Sequence, residues 1–130
     1  MHTIENPDVI VIGAGPSGAI ASALLVQKGH SVLVLEREQF PRFSIGESLL
    51  PQCMAFIEEA GMLPAVQAGN FQFKNGAAFY HNGKHTHFDF TKKFSPGHGT
   101  TFQVQRAHFD KILADEAARF GVDLRYRHEI

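Results

Sequence analysis

The stretch VIVIGAGPSGAIASALLVQ, residues 9–27, joins a β-branched apolar run to a helix-forming run through a glycine-rich turn. Continuous β-branched apolar runs are typical of buried strands in parallel sheets. The turn, residues 13–18, matches the pattern G-x-G-x-x-G, and a second apolar run, residues 31–35, ends in Glu36, 18 residues after Gly18. In this order, with an acidic residue about 20 positions after the last glycine, the elements predict a β-α-β unit of the dinucleotide-binding type.

The residues of this turn suit a pyrophosphate group. Gly13 permits the tight bend from strand to helix. Gly15 has no Cβ, which lets a pyrophosphate approach the backbone, and Gly18 lets the helix pack closely on the sheet. The free N–H groups and the positive end of the helix then face the phosphates. The predicted cofactor-binding residues of the turn are Gly13, Ala14, Gly15, Pro16, Ser17 and Gly18.

Glu36, at the carboxyl end of the second predicted strand, favours one class of nucleotide. Its carboxylate can accept hydrogen bonds from both ribose hydroxyls, whereas it would repel a 2′-phosphate. The site is therefore expected to bind FAD or NAD rather than NADP. The alternative is a glycine-rich turn without a ligand.

Composition and charge exclude several other classes of protein. Of 130 residues, 44% are hydrophobic and 19% are charged, which is typical of a folded globular chain, and the length predicts one domain. Twelve Lys and Arg residues against 13 Asp and Glu residues give a net charge of −1, which argues against a nucleic-acid partner. The single cysteine, Cys53, cannot form an internal disulfide, so a reducing compartment is expected.

An uncharged stretch, residues 9–26, reaches the length of a transmembrane candidate. Glycines and a proline interrupt it, and no Lys or Arg precedes it, which argues against a transmembrane helix and against a signal peptide. A cytoplasmic protein without a membrane partner is therefore predicted.

Residues 36–51, E-R-E-Q-F-P-R-F-S-I-G-E-S-L-L-P, form a long polar loop at a strand end where ligands of α/β proteins bind. This segment resembles the flavin-dependent halogenases, the tryptophan-halogenase-like branch of the FAD-dependent aromatic monooxygenase superfamily. The resemblance implies that FAD is the cofactor and lies across the first strand, turn and helix. It also implies that the loop residues in contact with FAD are Arg37, Arg42, Ile45, Gly46, Glu47 and Ser48.

Ordinary structural roles are the alternatives for some of these residues. Ser48 suits the N-cap of a helix over residues 49–60, with Gly61 as its C-cap. Helix capping is also the alternative for Glu47. A solvated loop position is the alternative for Arg42.

Two aromatic-rich runs, residues 71–80 and 85–90, flank Asn82-Gly83, which predicts an antiparallel hairpin. Residues 62–68 before them predict a short helix. A hairpin does not belong to a plain doubly wound domain, so region 70–92 is predicted to begin a second sheet that covers the substrate. A phenylalanine more often packs in a core, but the candidates for lining the substrate side are Phe79, Phe88 and Phe90.

The segment F-Q-F-K-N-G-A-A-F, residues 71–79, resembles the place where flavin-dependent halogenases carry their catalytic lysine, here Lys74. In that family reduced flavin reacts with O₂ to give a flavin hydroperoxide, which halide attacks to form hypohalous acid. The lysine hydrogen-bonds this acid, or forms a haloamine, and presents it to an electron-rich substrate. Lys74 is therefore the predicted catalytic residue. The alternative is an exposed strand lysine with a solvated head.

Three histidines, His81, His85 and His87, raise the question of a metal site because residues 85 and 87 share one face of a strand. No carboxylate or cysteine completes a convincing set, so no metal site is predicted. Cys53 is expected to be a small buried hydrophobic residue.

Residues 101–104 predict a short strand, and an amphipathic helix follows Gln105 and Arg106. The pattern V-x-R-x-x-F-D-x-x-L-x-x-x-A-x-x-x-G-V over residues 104–122 is similar to the corresponding helix of these flavoenzymes. The resemblance implies that Gln105 and Arg106 contact FAD near its ribityl and pyrophosphate groups. A surface position at a helix start is the alternative for Arg106. A last strand is predicted over residues 122–128.

These features predict an α/β fold, a Rossmann-like FAD-binding β-α-β core with a parallel sheet plus an antiparallel hairpin. Residues 1–130 are expected to be the amino-terminal part of the FAD-binding domain of a longer enzyme, with the nucleotide core in residues 8–60 and 101–130. The favoured function is an FAD-dependent oxidoreductase that activates O₂ and halogenates an electron-rich small organic substrate, with halide and a separate flavin reductase as partners. The alternatives are an aromatic hydroxylase, a polyprenyl-type reductase and an FAD-binding module without turnover.

Overall fold

A computed structural model describes residues 3–130, so residues 1 and 2 of the predicted domain lie outside the described part. The described residues form four α-helices and seven β-strands. In chain order these are β1 (Val9–Ile12), α1 (Pro16–Gln27), β2 (Val32–Leu35), α2 (Pro51–Glu59), α3 (Leu63–Ala68), β3 (Gln72–Lys74), β4 (Gly76–His81), β5 (Lys84–Asp89), β6 (Thr101–Gln103), α4 (Arg106–Arg119) and β7 (Asp123–Arg125).

A parallel sheet with strand order β1-β2-β7 carries the nucleotide core. Val9 lies opposite Val32 in the first strand pair, and Leu33 lies opposite Asp123 in the second. A helical crossover returns the chain to the same end of the sheet, so the strands that it connects run in parallel. The predicted α/β class is confirmed. Because β1 and β2 run in parallel, their carboxyl ends meet at one edge of the sheet, beside the glycine-rich turn.

The hydrophobic core lies between this sheet and helices α1 and α4, which pack against each other. Val32 and Val34 of β2 are fully buried in the same cluster as Ala19 of α1 and Leu113 of α4. Removing these side chains from water is the main favourable contribution to the fold.

The uncharged stretch of residues 9–26 is divided between β1, the turn and α1. Two of the fully buried core residues, Ala19 and Ala23, come from its helical part. Across residues 3–130, no helix is both long enough and apolar enough to cross a membrane.

The predicted hairpin is confirmed as β4 and β5, which pair antiparallel on either side of Asn82 and Gly83. Both turn residues have positive φ angles, 48° and 74°. This is the conformation that a two-residue hairpin turn requires and that Asn-Gly adopts readily.

The first aromatic-rich run, residues 71–80, is divided between two strands. The run breaks at Asn75, so that β3 pairs with β6 while β4 pairs with β5. Close packing inside the hairpin explains the glycine after the break, because a Cβ on Gly76 would lie 2.6 Å from the carbonyl oxygen of Phe88.

The predicted start of the next helix, at residue 49, is wrong. Helix α2 begins at Pro51, Leu50 is its N-cap, and no described side chain caps it, so Ser48 is not the N-cap. Ser48 instead forms an isolated antiparallel bridge with Gln103 at the end of β6. A residue held in extended pairing cannot adopt helical backbone angles, which delays the start of the helix.

Helix α4 and strand β7 are both predicted from the sequence, but β7 is shorter than predicted. Gly121, with φ of +112°, follows the end of α4 at Arg119 and its C-cap. The last strand ends at Arg125 rather than at residue 128. Arg127 has φ of +58°, outside the extended region, so the strand cannot continue through it.

Candidate functional site

The glycine-rich turn connects β1 to α1 at the carboxyl edge of the sheet. Gly13 has φ of +97°, which L side chains rarely adopt, and its N–H donates to the carbonyl of Leu35 at 2.8 Å. Gly15 is the N-cap of α1, and no described side chain accepts a capping hydrogen bond from the N–H groups at this helix end. The first N–H groups of α1 therefore lack intrahelical acceptors and carry the positive end of the helix dipole. This helix end is suited to bind a phosphate.

The second and third glycines of the turn meet very different surroundings. A Cβ on Gly18 would lie 2.0 Å from the carbonyl oxygen of Gly13 and 3.3 Å from Val11, so the approach of α1 to β1 requires glycine there. A Cβ on Gly15 would meet only Arg42, at 3.9 Å, which is ordinary contact. Gly15 therefore leaves a cradle that a side chain would otherwise fill, and this cradle fits the diphosphate of a dinucleotide.

Glu36 lies behind the turn and is only 6% exposed. Its Oε2 accepts a hydrogen bond from the N–H of Ala14 at 2.8 Å, and its Oε1 accepts one from the N–H of Glu38 at 2.9 Å. Each carboxylate oxygen can accept a second hydrogen bond, so the group retains acceptor capacity for ribose hydroxyls. With Gly13 and Arg37 it lines a cleft of about 270 Å³. Ribose binding by Glu36 stays a prediction.

Arg42 and Arg106, two predicted FAD contacts, meet at Asp110, whose side chain is 1% exposed. Nη1 of Arg42 donates to Oδ2 of Asp110 at 2.6 Å. Nε and Nη2 of Arg106 donate to the two oxygens of the same carboxylate at 2.7 and 3.0 Å. The hydrogen bonds with Asp110 raise the pKa of Arg106 above its ordinary value.

Asp110 is not among the site residues predicted from the sequence. The signal in the sequence was its position directly after Phe109, among the apolar residues of the predicted helix. In the structure both residues lie on the inward side of α4 and are about 1% exposed. A carboxylate on an apolar helix face is unfavourable unless cations are buried with it. Its place in the pattern therefore pointed to buried partners, which the sequence alone did not name.

The loop between β2 and α2 closes around this cluster. Nη1 of Arg106 donates to the carbonyl of Ile45 at 2.6 Å. A Cβ on Gly46, which has φ of +102°, would lie 2.8 Å from the same nitrogen. Glu47, Gln105 and the two arginines line a cleft of about 300 Å³. The structure thus brings most of the predicted loop contacts into one place.

Lys74 is half-buried at the end of β3, where it lies opposite Thr101 of β6. Its Nζ donates to Oγ of Ser48 at 2.5 Å and to the carbonyl of Leu49 at 2.8 Å. The ammonium also lies over the ring of Phe90, 5.3 Å from its centroid. The side chain is therefore held by the loop that leads into α2, and the exposed, solvated alternative does not describe it.

The three phenylalanines of the hairpin region fall into two groups. Phe79 and Phe88 are about half exposed and stack with ring centroids 5.9 Å apart, whereas Phe90 is 8% exposed. Phe88 and Phe90 line a cleft of about 360 Å³ together with Pro51 and Lys92. Phe90 therefore connects this cleft to Lys74.

The histidines and the cysteine of this region have no shared site. The rings of His85 and His87 lie with centroids 5.9 Å apart. Within residues 3–130, no three His, Cys, Asp or Glu side chains gather closely enough to hold a metal ion. Cys53 is half-buried against the core cluster, and burial raises the pKa of its thiol.

Known flavoproteins are similar to this chain in sequence and fold. A family model described as "FAD binding domain" matches residues 6–130. The tryptophan 2-halogenase of Chondromyces crocatus is 39% identical over 122 residues, which cover 94% of this chain and 23% of that protein. A flavoprotein/dehydrogenase from Cytophaga hutchinsonii superposes with a TM-score of 0.88 at 52% identity, covering 92% of this chain and 30% of that one. The myxobacterial chondrochloren halogenase CndH gives a TM-score of 0.86 at 39% identity, covering 95% and 29%.

The chain spans between about a quarter and a third of the length of these relatives. The resemblance to flavin-dependent halogenases is confirmed, and so is FAD as the cofactor. The glycine-rich turn, the uncapped helix end and the match over nearly every residue agree, and the chain belongs to the FAD binding domain family.

Proposed function

We propose that this chain is the amino-terminal part of an FAD-dependent oxidoreductase that halogenates an electron-rich small organic substrate. The observation that carries the proposal is the fixed amino group of Lys74, held by Ser48 and Leu49 of the loop that also contributes the predicted FAD contacts. Similarity to two halogenases supports the same activity. O₂, halide and a separate flavin reductase are the proposed partners.

The proposed cofactor site uses the elements at the carboxyl edge of the sheet. The diphosphate of FAD lies at Gly15 and the first turn of α1, and the adenosine ribose lies in the cleft beside Glu36 and Arg37. The rest of the proposed set continues the site along the loop and the start of α4: Arg42, Ile45, Gly46, Glu47, Ser48, Gln105 and Arg106. The hairpin region, residues 70–92, is proposed to cover the substrate side.

Lys74 is proposed to deliver the halogen. Bound FAD, once reduced, supplies the O₂ chemistry that converts halide into hypohalous acid. Two of the three ammonium hydrogens of Lys74 are committed to Ser48 and Leu49, which leaves one to donate to the oxygen of hypohalous acid. As the substrate carbon takes the halogen, the oxygen–halogen bond breaks and the Lys74 proton moves to the departing oxygen, giving water. The proton that the substrate carbon loses returns to the lysine amine.

A dependence on halide is the direct test of this function. We expect the full-length protein, supplied with FAD, a flavin reductase and NADH, to form a halogenated product only when chloride or bromide is present. Mass spectrometry of the product measures this, because chlorine and bromine add characteristic isotope patterns. Product formed equally well without halide would contradict the proposal.

A halide-independent oxidoreductase is the second candidate function. It is favoured by one observation, the 52% identity with a protein described as a flavoprotein/dehydrogenase. Such an enzyme would consume NAD(P)H in step with substrate and would be indifferent to halide. The same measurement therefore separates the two candidates.

The cofactor placement has a test of its own in Gly15→Ala. The added methyl group meets no atom of the protein closer than 3.9 Å, so the free energy of unfolding of the apo protein is expected to be nearly unchanged. The methyl group occupies the diphosphate cradle, so the dissociation constant for FAD is expected to rise by about 10- to 100-fold. Quenching of flavin fluorescence measures the affinity, and a variant that binds FAD as well as wild type would refute this placement.

A further inference from the structure

Asp110 ties together two arginines that come from different parts of the chain. Arg42 belongs to the loop after β2, and Arg106 begins α4, one helical turn before Asp110 on the same face. All three side chains are at most 15% exposed. A carboxylate this deeply buried is tolerated only when its oxygens are fully hydrogen-bonded, and here three N–H donors from two guanidinium groups serve it.

The nitrogens of the two arginines are used differently. Nε and Nη2 of Arg106 donate to Asp110, and its Nη1 donates to the carbonyl of Ile45, so every guanidinium nitrogen has a protein acceptor. Arg42 uses Nη1 for Asp110, and its Nε lies 3.4 Å from Glu38. Its Nη2 has no hydrogen-bond partner among residues 3–130.

The free nitrogen of Arg42 faces the glycine-rich turn. Nη2 is the nearest atom to the position that a Cβ on Gly15 would occupy, at 3.9 Å. The guanidinium plane is fixed from a second direction by Phe40, whose ring centroid lies 4.4 Å from its central carbon. The side chain is therefore held in place before any ligand arrives, which reduces the entropy lost on binding.

We propose that Asp110 is a positioning residue for FAD binding: it aims Nη2 of Arg42 at the diphosphate beside Gly15 and, through Arg106, fixes the loop at Ile45. Within the proposed cofactor site, Arg106 then acts through the loop that it anchors, and Arg42 is the arginine whose free nitrogen meets the diphosphate. The carboxylate offsets part of the charge of the two guanidinium groups, while the free Nη2 of Arg42 remains directed at the diphosphate. The inference rests on the proposed placement of the diphosphate at Gly15.

A double-mutant cycle in the full-length apo protein tests this inference. We expect Asp110→Asn and Arg42→Ala each to raise the dissociation constant for FAD about 10-fold, and the double variant to raise it no more than about 2-fold further, because both changes remove the same contact. Asp115→Asn on the exposed side of α4, which breaks only a pair with Lys111, is the matched control and should bind FAD as wild type does. Multiplying effects in the double variant, or a lower thermal stability of Asp110→Asn with unchanged FAD affinity, would overturn the inference.

The salt dependence of FAD affinity gives a second measurement that does not require Asp110→Asn to fold. Arg42→Met should flatten the dependence on salt concentration, because it removes the cation that meets the diphosphate, whereas Arg106→Met should weaken binding without changing that dependence. Equal flattening by both variants would overturn the division of roles. Gly15→Ala with unchanged affinity would instead contradict the proposed diphosphate placement, so the two failures are distinguishable.

Discussion

Lys74→Ala in the full-length protein is expected to lower the rate of halogenated product formation by about 10²- to 10⁴-fold, the range typical of losing a positioned proton donor. FAD should still bind, because Lys74 contacts Ser48 and Leu49 rather than the glycine-rich turn. The measurement is the initial rate of product formation by mass spectrometry, with FAD affinity recorded on the same preparation.

Two further variants sharpen this prediction. Lys84→Ala removes an exposed lysine at the turn end of the neighbouring hairpin and should leave the rate unchanged. Ser48→Ala removes one of the two acceptors that hold the Lys74 ammonium, so a smaller loss of rate, about 10-fold, is expected when the variant is assayed at saturating FAD. If Lys74→Ala formed halogenated product at the wild-type rate, Lys74 would not be the catalytic residue.

Gly18→Ala is expected to produce the largest loss of stability among single methyl additions in the turn, about 3 kcal/mol or more. The new Cβ would lie 2.0 Å from the carbonyl oxygen of Gly13, a backbone atom of the turn itself, so relief requires α1 to move away from β1. Urea or thermal unfolding of the apo protein measures the change.

Gly15→Ala is the natural partner of this experiment, because it adds the same methyl group three residues earlier without a clash. One variant should lose stability and the other only FAD affinity. If Gly18→Ala were as stable as wild type in the absence of FAD, then close helix–strand packing would not be the reason for a glycine at that position.

Local sequence patterns predicted the elements whose cause is local. The β-branched run predicted β1, the helix-forming run predicted α1, and Asn82-Gly83 predicted the hairpin, and the structure confirms these elements. The amphipathic pattern after Arg106 likewise predicted α4. In each case the residues that predict the element lie next to each other in the sequence.

The errors and the omission arise where distant segments meet. Ser48 has the chemistry of an N-cap, yet pairing with Gln103 and contact with Lys74 give it another role. One partner of the buried Asp110 carboxylate, Arg42, lies 68 residues away in the sequence, so local patterns could not identify it. Residue type and spacing do not encode such contacts, because they depend on how the sheets bring the loops together.

The pairing of β2 with β7 determines when the cofactor site can form during synthesis. β1, α1 and β2 leave the ribosome early, yet the sheet that supports them is closed by Asp123–Arg125, and Ile4 is tied to Asp123, 119 residues later. The hydrogen bond between Arg42 and Asp110 likewise cannot form before α4 has been synthesised. Non-local contacts of this kind form slowly, so β1 and β2 can pair with each other before the other edge of β2 gains its partner β7. We therefore expect FAD to bind tightly only after α4 and β7 have been synthesised.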